Sequence, residues 1–72
     1  MINFTSLCNS AFANEMAKDA ISIHLFANSI DGAPIHWRVN TEEEVKAFSG
    51  QWVRLVFIYQ DGHTSADDAF VY

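Results

Sequence analysis

The sequence predicts an α+β fold in a single small domain spanning residues 1–72: a mainly antiparallel sheet of about four strands with two helices, in the order α-β-β-α-β-β. Three observations predict it. Residues 4–20 repeat apolar side chains at helical spacing. Residues 21–40 and 51–60 alternate at period two or run β-branched and aromatic. Asp-Gly pairs at 31–32 and 61–62 stand where strands must turn back. Half of the residues are apolar, which suits a folded chain, and at this length about 60% of the unfolded surface is buried, enough for one core and no second domain.

The first helix rests on Phe4, Leu7, Cys8, Ala11 and Phe12, spaced i, i+3, i+4, i+7 and i+8, with Met16 one turn further. Thr5 or Ser6 can cap its start. From Ile21 the period becomes two, with Ile21, Ile23, Leu25 and Ala27 on one face and Ser22, His24, Phe26 and Asn28 on the other. Ile35, Trp37 and Val39 continue the pattern after "DGAP", so the two runs form a hairpin. A two-residue loop would set odd positions against even ones and bury His36; a three- or five-residue loop or a bulge is therefore expected. Pro34 lacks a ladder donor and belongs at an edge or in the turn.

In "NTEEEVKAFSGQW", Thr41 and Glu44 have capping-box spacing, and Glu42 and Glu43 fall in the first turn, where the helix dipole favours carboxylates. Ser49-Gly50 ends this helix after about two turns. "QWVRLVFIYQ" is the strongest strand and reads as central, with Val53, Leu55, Phe57 and Tyr59 on one face and Trp52, Val56 and Ile58, broken by Arg54, on the other. After Asp61-Gly62, "AFVY" returns as a last short strand.

Nine acidic against four basic residues give a net charge of −5 with the histidines neutral. Lys18, Arg38, Lys46 and Arg54 stand singly, so no basic stripe exists to neutralise phosphates, and direct nucleic-acid binding is not expected. An acidic surface favours basic partners, including the nucleic-acid channels of other proteins. Direct imitation of DNA would need a higher acidic density. A lone cysteine, Cys8, allows no internal disulfide and no cysteine zinc site, and the chain reads as cytoplasmic. Ala11-Phe12-Ala13 imitates a signal-peptidase site, but no Lys or Arg precedes it and polar residues interrupt any apolar run. No stretch approaches the ~18 apolar residues of a membrane span.

His24, His36 and His63 match no zinc spacing, and in a three-residue-loop register that opposes His24 to Asn40 and His36 to Asn28 the first two are not neighbours. Cys8 reads as a small buried hydrophobe. "GHTSADD" gathers Gly62, His63, Thr64, Ser65, Asp67 and Asp68 in what reads as a loop of catalytic or ordinary turn composition. No catalytic residue, metal or cofactor is expected.

The apolar second face of the central strand is the more informative feature, because two short helices are not expected to cover both faces of the sheet. Trp52, Arg54, Val56 and Ile58, extended by Phe26, are the expected partner-binding residues, with Glu42, Glu43, Asp67 and Asp68 as acidic contributors. The competing arrangement places one helix on each face of the sheet in three layers. The chain is expected to be a non-enzymatic binding protein that occupies a basic or apolar site on a larger, nucleic-acid-handling complex. A sheet-mediated homodimer with a structural or regulatory role is the second reading, and a small hydrolase using the 61–68 loop the third. Size, acidity and lack of a catalytic motif resemble, in type rather than in sequence, the small inhibitor proteins of phages and mobile elements, such as anti-CRISPR or anti-restriction proteins.

Overall fold

The computed structural model describes residues 2–72. Its elements are α1 (Phe4–Leu7), α2 (Ala13–Asp19), β1 (Ala20–Asn28), β2 (Pro34–Arg38), α3 (Glu42–Lys46), β3 (Trp52–Tyr59) and β4 (Thr64–Phe70). The strands form one antiparallel sheet in the order β2-β1-β3-β4. The α+β fold is the expected one, but the first helix is two.

Residues 8–12 break it for a tertiary reason. Cys8 is fully extended and bridges Val71, Asn9 exchanges hydrogen bonds with the Phe70 backbone, and the Tyr72 N–H donates to the Leu7 carbonyl. The buried Ser10 hydroxyl then accepts from the Ala13 N–H at 3.1 Å and donates to Asp67, so it starts α2. Neither Thr5 nor Ser6 caps α1; the Asn14 side chain accepts from the Phe4 N–H at 2.8 Å and ties the two helices together. The helical stripe is shorter than its spacing implies: Phe4, Leu7 and Cys8 are buried, but Phe12 is 67% exposed.

Both hairpins use one turn. The Ser29 N–H donates to the Ala33 carbonyl and the Gly32 N–H to Ser29, leaving Ile30-Asp31-Gly32 at the tip; Tyr59, His63 and Gly62 repeat this around Gln60-Asp61-Gly62. In each, the aspartate accepts a backbone N–H two residues on, and the glycine takes positive φ, +85° at Gly32 and +91° at Gly62. Residues with a Cβ rarely adopt that conformation, which is why Asp-Gly marks both turns. Pro34 begins the edge strand β2, where its missing N–H costs no ladder bond. A bulge between Ala20 and Ser22 turns Ile21 outward, against its expected inward place.

The capping box is formed: the Thr41 hydroxyl accepts from the Glu44 N–H at 3.4 Å, and the Glu44 carboxylate accepts from the Thr41 N–H at 3.0 Å. β4 is longer than expected. Thr64–Asp68 pairs with Leu55–Ile58 and Arg54 throughout, so the segment read as a loop is strand beyond a turn that ends at His63. Its own β propensity is low, and pairing with the apolar β3 supplies what the sequence lacks.

All three helices lie on one face. Leu25, Val53, Leu55, Phe57 and Ala69 point from the sheet into a core completed by Phe4, Leu7, Cys8, Ala13, Val45, Phe48 and Val71. Phe4 meets Phe57 edge-on at 5.9 Å, and the Tyr59 hydroxyl donates to the Met16 carbonyl at 3.0 Å. No helix among the described residues is long and apolar enough to cross a membrane.

Three variants test this account by urea unfolding. Thr41→Ala should cost about 0.5–2 kcal/mol, while Glu42→Gln combined with Glu43→Gln changes stability little, because glutamine still accepts the Asn3 N–H that Glu42 holds. Ser10→Ala should cost about 1–3 kcal/mol, since it leaves the Ala13 N–H without an acceptor and Asp67 without its donor.

Candidate protein-binding face

Side chains alternate along every strand, so burying the odd positions turns the even ones to the other side. Pairing sets them in rows. One row runs His36, Phe26, Arg54, Asp68; the next runs Arg38, His24, Val56, Ala66; Ser22, Ile58 and Thr64 follow, and Trp52 with Phe70 closes the opposite end. Among the described residues, no helix covers this face. Trp52 is 62% exposed and Phe26 41% exposed, and Val56, Ile58 and Phe70 are half-buried only by their neighbours. Near the Trp52 end a shallow groove is lined by Phe26, Asn28, Pro34, Trp52, Arg54 and Asp68.

The polar groups here are tied to one another. Arg54 donates to both oxygens of Asp68, at 2.8 and 3.4 Å, a fork that ties the guanidinium to the neighbouring strand. That bond holds the Asp68 carboxyl below the usual carboxylate range and raises the Arg54 guanidinium. The Phe26 and His36 rings stack at 4.4 Å, and Trp52 meets Phe70 at 5.8 Å. His36 Nε2 lies 2.7 Å from His24 Nδ1, and His24 Nε2 lies 2.7 Å from the Ser22 hydroxyl. Desolvation, then His36, then Arg38 push the His24 imidazole below its ordinary value.

The histidine contact corrects the sequence reading. The hairpin tip centres on Asp31 rather than Gly32, so His24 opposes Arg38 and His36 opposes Phe26, and the two imidazoles become diagonal neighbours. Loop length alone could not reveal this; the placement of the Asp-Gly pair at the second and third tip positions, common to both hairpins, was the available signal. The two imidazoles face one another, and no group of three or more His, Cys, Asp or Glu side chains that could hold a metal ion converges among the described residues.

Of the nine expected partner-binding residues, six share this face: Phe26, Trp52, Arg54, Val56, Ile58 and Asp68. The other three do not join them. Glu42 and Glu43 start α3 in the helical layer, where Glu42 accepts from the Asn3 N–H and Glu43 pairs with Lys46. Asp67 points inward beside Ser10. The 61–68 segment is likewise divided: His63 contacts Asp61 within the turn and stacks on Tyr59, while Ser65 and Asp67 face the helices and Ala66 and Asp68 the open side. Cys8 is buried, donates to the Phe4 carbonyl, and has its thiol pushed up by that burial. Phe70, Arg38 and the histidine pair also lie on this face; the alternation of the sequence put His24 there beside Phe26, but none of the four was among the expected partner-binding residues.

Charge is partitioned by the same alternation. Arg38, Arg54 and Asp68 are the charged residues of the open face, a balance of +1, and the other eight carboxylates with Lys18 and Lys46 give −6 elsewhere. The acidic character that dominates the composition is absent from the apolar face.

No protein-family model, curated protein or solved structure matched this chain, so the face itself supplies the basis for a functional reading. Its electrostatics can be checked by following the imidazole resonances with pH. His24 should titrate below the ordinary value of about 6.5. Folding then binds fewer protons at His24 than the unfolded chain does, so this group's contribution to stability falls as pH drops through about 6.5. A His24 midpoint at or above that value would contradict the contacts described.

Proposed function

We propose that the protein is a non-enzymatic, cytoplasmic binding module that lays the open face of its sheet on a larger protein. In this reading it is an inhibitor of the phage or mobile-element type that blocks a site on a nucleic-acid-handling complex. One observation carries it: Trp52, Phe26, Val56, Ile58 and Phe70, with the Arg54–Asp68 pair among them, share a sheet face that no helix covers among the described residues. Trp and Arg are the side chains that most often dominate interface energy, and contiguous apolar surface on a small protein marks an interaction site. The near-neutral balance of the strip favours an apolar target site over a strongly basic one, because the carboxylates that would complement a basic site lie on the other side.

The test compares Trp52→Ala and Ile58→Ser with the wild type in capture from a bacterial lysate, alongside thermal unfolding by circular dichroism. The wild type should enrich a nucleic-acid-handling complex. Both variants should keep their fold and bind that complex at least about thirtyfold more weakly, the effect of an interface hot spot of about 2 kcal/mol. Glu42→Gln with Glu43→Gln should bind normally. Unfolding of both face variants, or full retention of the complex by them, would contradict the reading.

A further inference from the structure

We propose that in the free protein a second copy of this chain covers the open face, the two sheets stacking about a two-fold axis parallel to the strands in a weak dimer that a target must displace. The inference rests on the reading that this face is an interface, and three features of the face point to this occupant.

The first is repulsion. Two copies of a chain carrying −5 repel over most of their surface, and the face with a balance of +1 is where contact adds least. The second is self-complementarity. A two-fold axis along the strands lays β2 on the partner's β4 and β1 on its β3. Arg38 then faces the partner copy's β4 beside its acidic position 68, and Phe26 faces the partner's β3 at position 54. The other in-plane two-fold lays β4 on β4 and β2 on β2, which keeps Arg38 at the edge away from the other copy's Asp68, so the first is preferred. Stacking at about 10 Å with strands within about 30° is the ordinary geometry of such a sandwich. The third is area. Four strands about 4.8 Å apart and seven residues at about 3.3 Å give a footprint near 440 Å² per copy, or roughly 900 Å² for both. That lies below the ~1,200 Å² where standard interfaces begin, so the dimer is reversible and leaves the face open to competition.

Sedimentation velocity and light scattering of the purified chain from about 10 to 500 µM test the proposal. The mass should rise from 8.1 kDa toward twice that value. Trp52→Ala should weaken association at least tenfold. Ala66 is exposed on an edge strand and faces the partner's β2 beside position 38, so substitution there is compatible with folding. Ala66→Arg should weaken the dimer about two- to fivefold and Ala66→Glu strengthen it by a similar factor. A mass fixed at 8.1 kDa throughout, an undisturbed Trp52→Ala dimer, or the opposite order of the two Ala66 variants would overturn the arrangement. The two proposals fail separately. A strictly monomeric chain whose Trp52→Ala variant loses its target overturns the dimer and leaves the binding function, whereas a dimer with the stated responses whose Trp52→Ala variant keeps its target does the reverse.

Discussion

Side-chain alternation along Trp52–Tyr59 divides this molecule, and the rest of the structure follows from how few helical residues there are to cover what it exposes. Val53, Leu55 and Phe57 are buried, while Trp52 and Arg54 are exposed and Val56 and Ile58 half-exposed. Helices of four, seven and five residues suffice for one face of a four-stranded sheet. Phe4 of α1 packs on Phe57, α2 lies against β1 and β3, and Leu25, Leu55 and Phe57 beneath the helical layer are fully buried. A one-sided structure is therefore the arrangement that gives this chain a single continuous core. The apolar residues left outside are a consequence of that economy and form the open face on which the proposed binding rests.

The contacts that hold the helical layer join residues far apart in the chain. Asp67 holds Ser10, and the final residues run between Leu7–Asn9 on one side and Gly50–Gln51 on the other, with the Gly50 N–H donating to Val71 at 2.7 Å and the Val71 N–H to Gln51 at 3.0 Å. These bonds satisfy backbone groups that the short helices leave unpaired. They also use the polar residues of the helical side for structure. Glu42, Glu44 and Asp67 are occupied with Asn3, Thr41 and Ser10 in turn, so the composition's acidity serves folding in part, and the open face carries its own distinct chemistry.

Features set by neighbours in sequence were legible; features set by distant partners were not. The capping box needs only Thr41 and Glu44, the turns need only Asp-Gly, and the odd–even division of β1 and β3 is written in their alternation. The helix break at Cys8 was hidden because Phe4, Leu7, Cys8, Ala11 and Phe12 fit a helix, while the groups that interrupt it, Val71, Phe70 and Asp67, lie some sixty residues later. The length of β4 was hidden because Thr64–Asp68 gains its strand character from β3. The open face was readable as far as Trp52, Arg54, Val56, Ile58 and Phe26, whose parity decides their side. Of the four acidic residues expected there only Asp68 joins it: the adjacent Asp67 faces the opposite way, and Glu42 and Glu43 are carried away with α3.

Leu55 and Val56 adjoin one another on β3, one fully buried and the other on the uncovered side, so a matched pair of serine substitutions measures the division most directly. Denaturant unfolding of Leu55→Ser should show a loss of at least about 2–5 kcal/mol, the range for truncating a buried leucine. Val56→Ser should lose about 1 kcal/mol or less, the scale of strand preference at a partly exposed site. Equal, large losses at both positions would mean that the second face is also core, and would contradict a sheet with one side kept open for a partner.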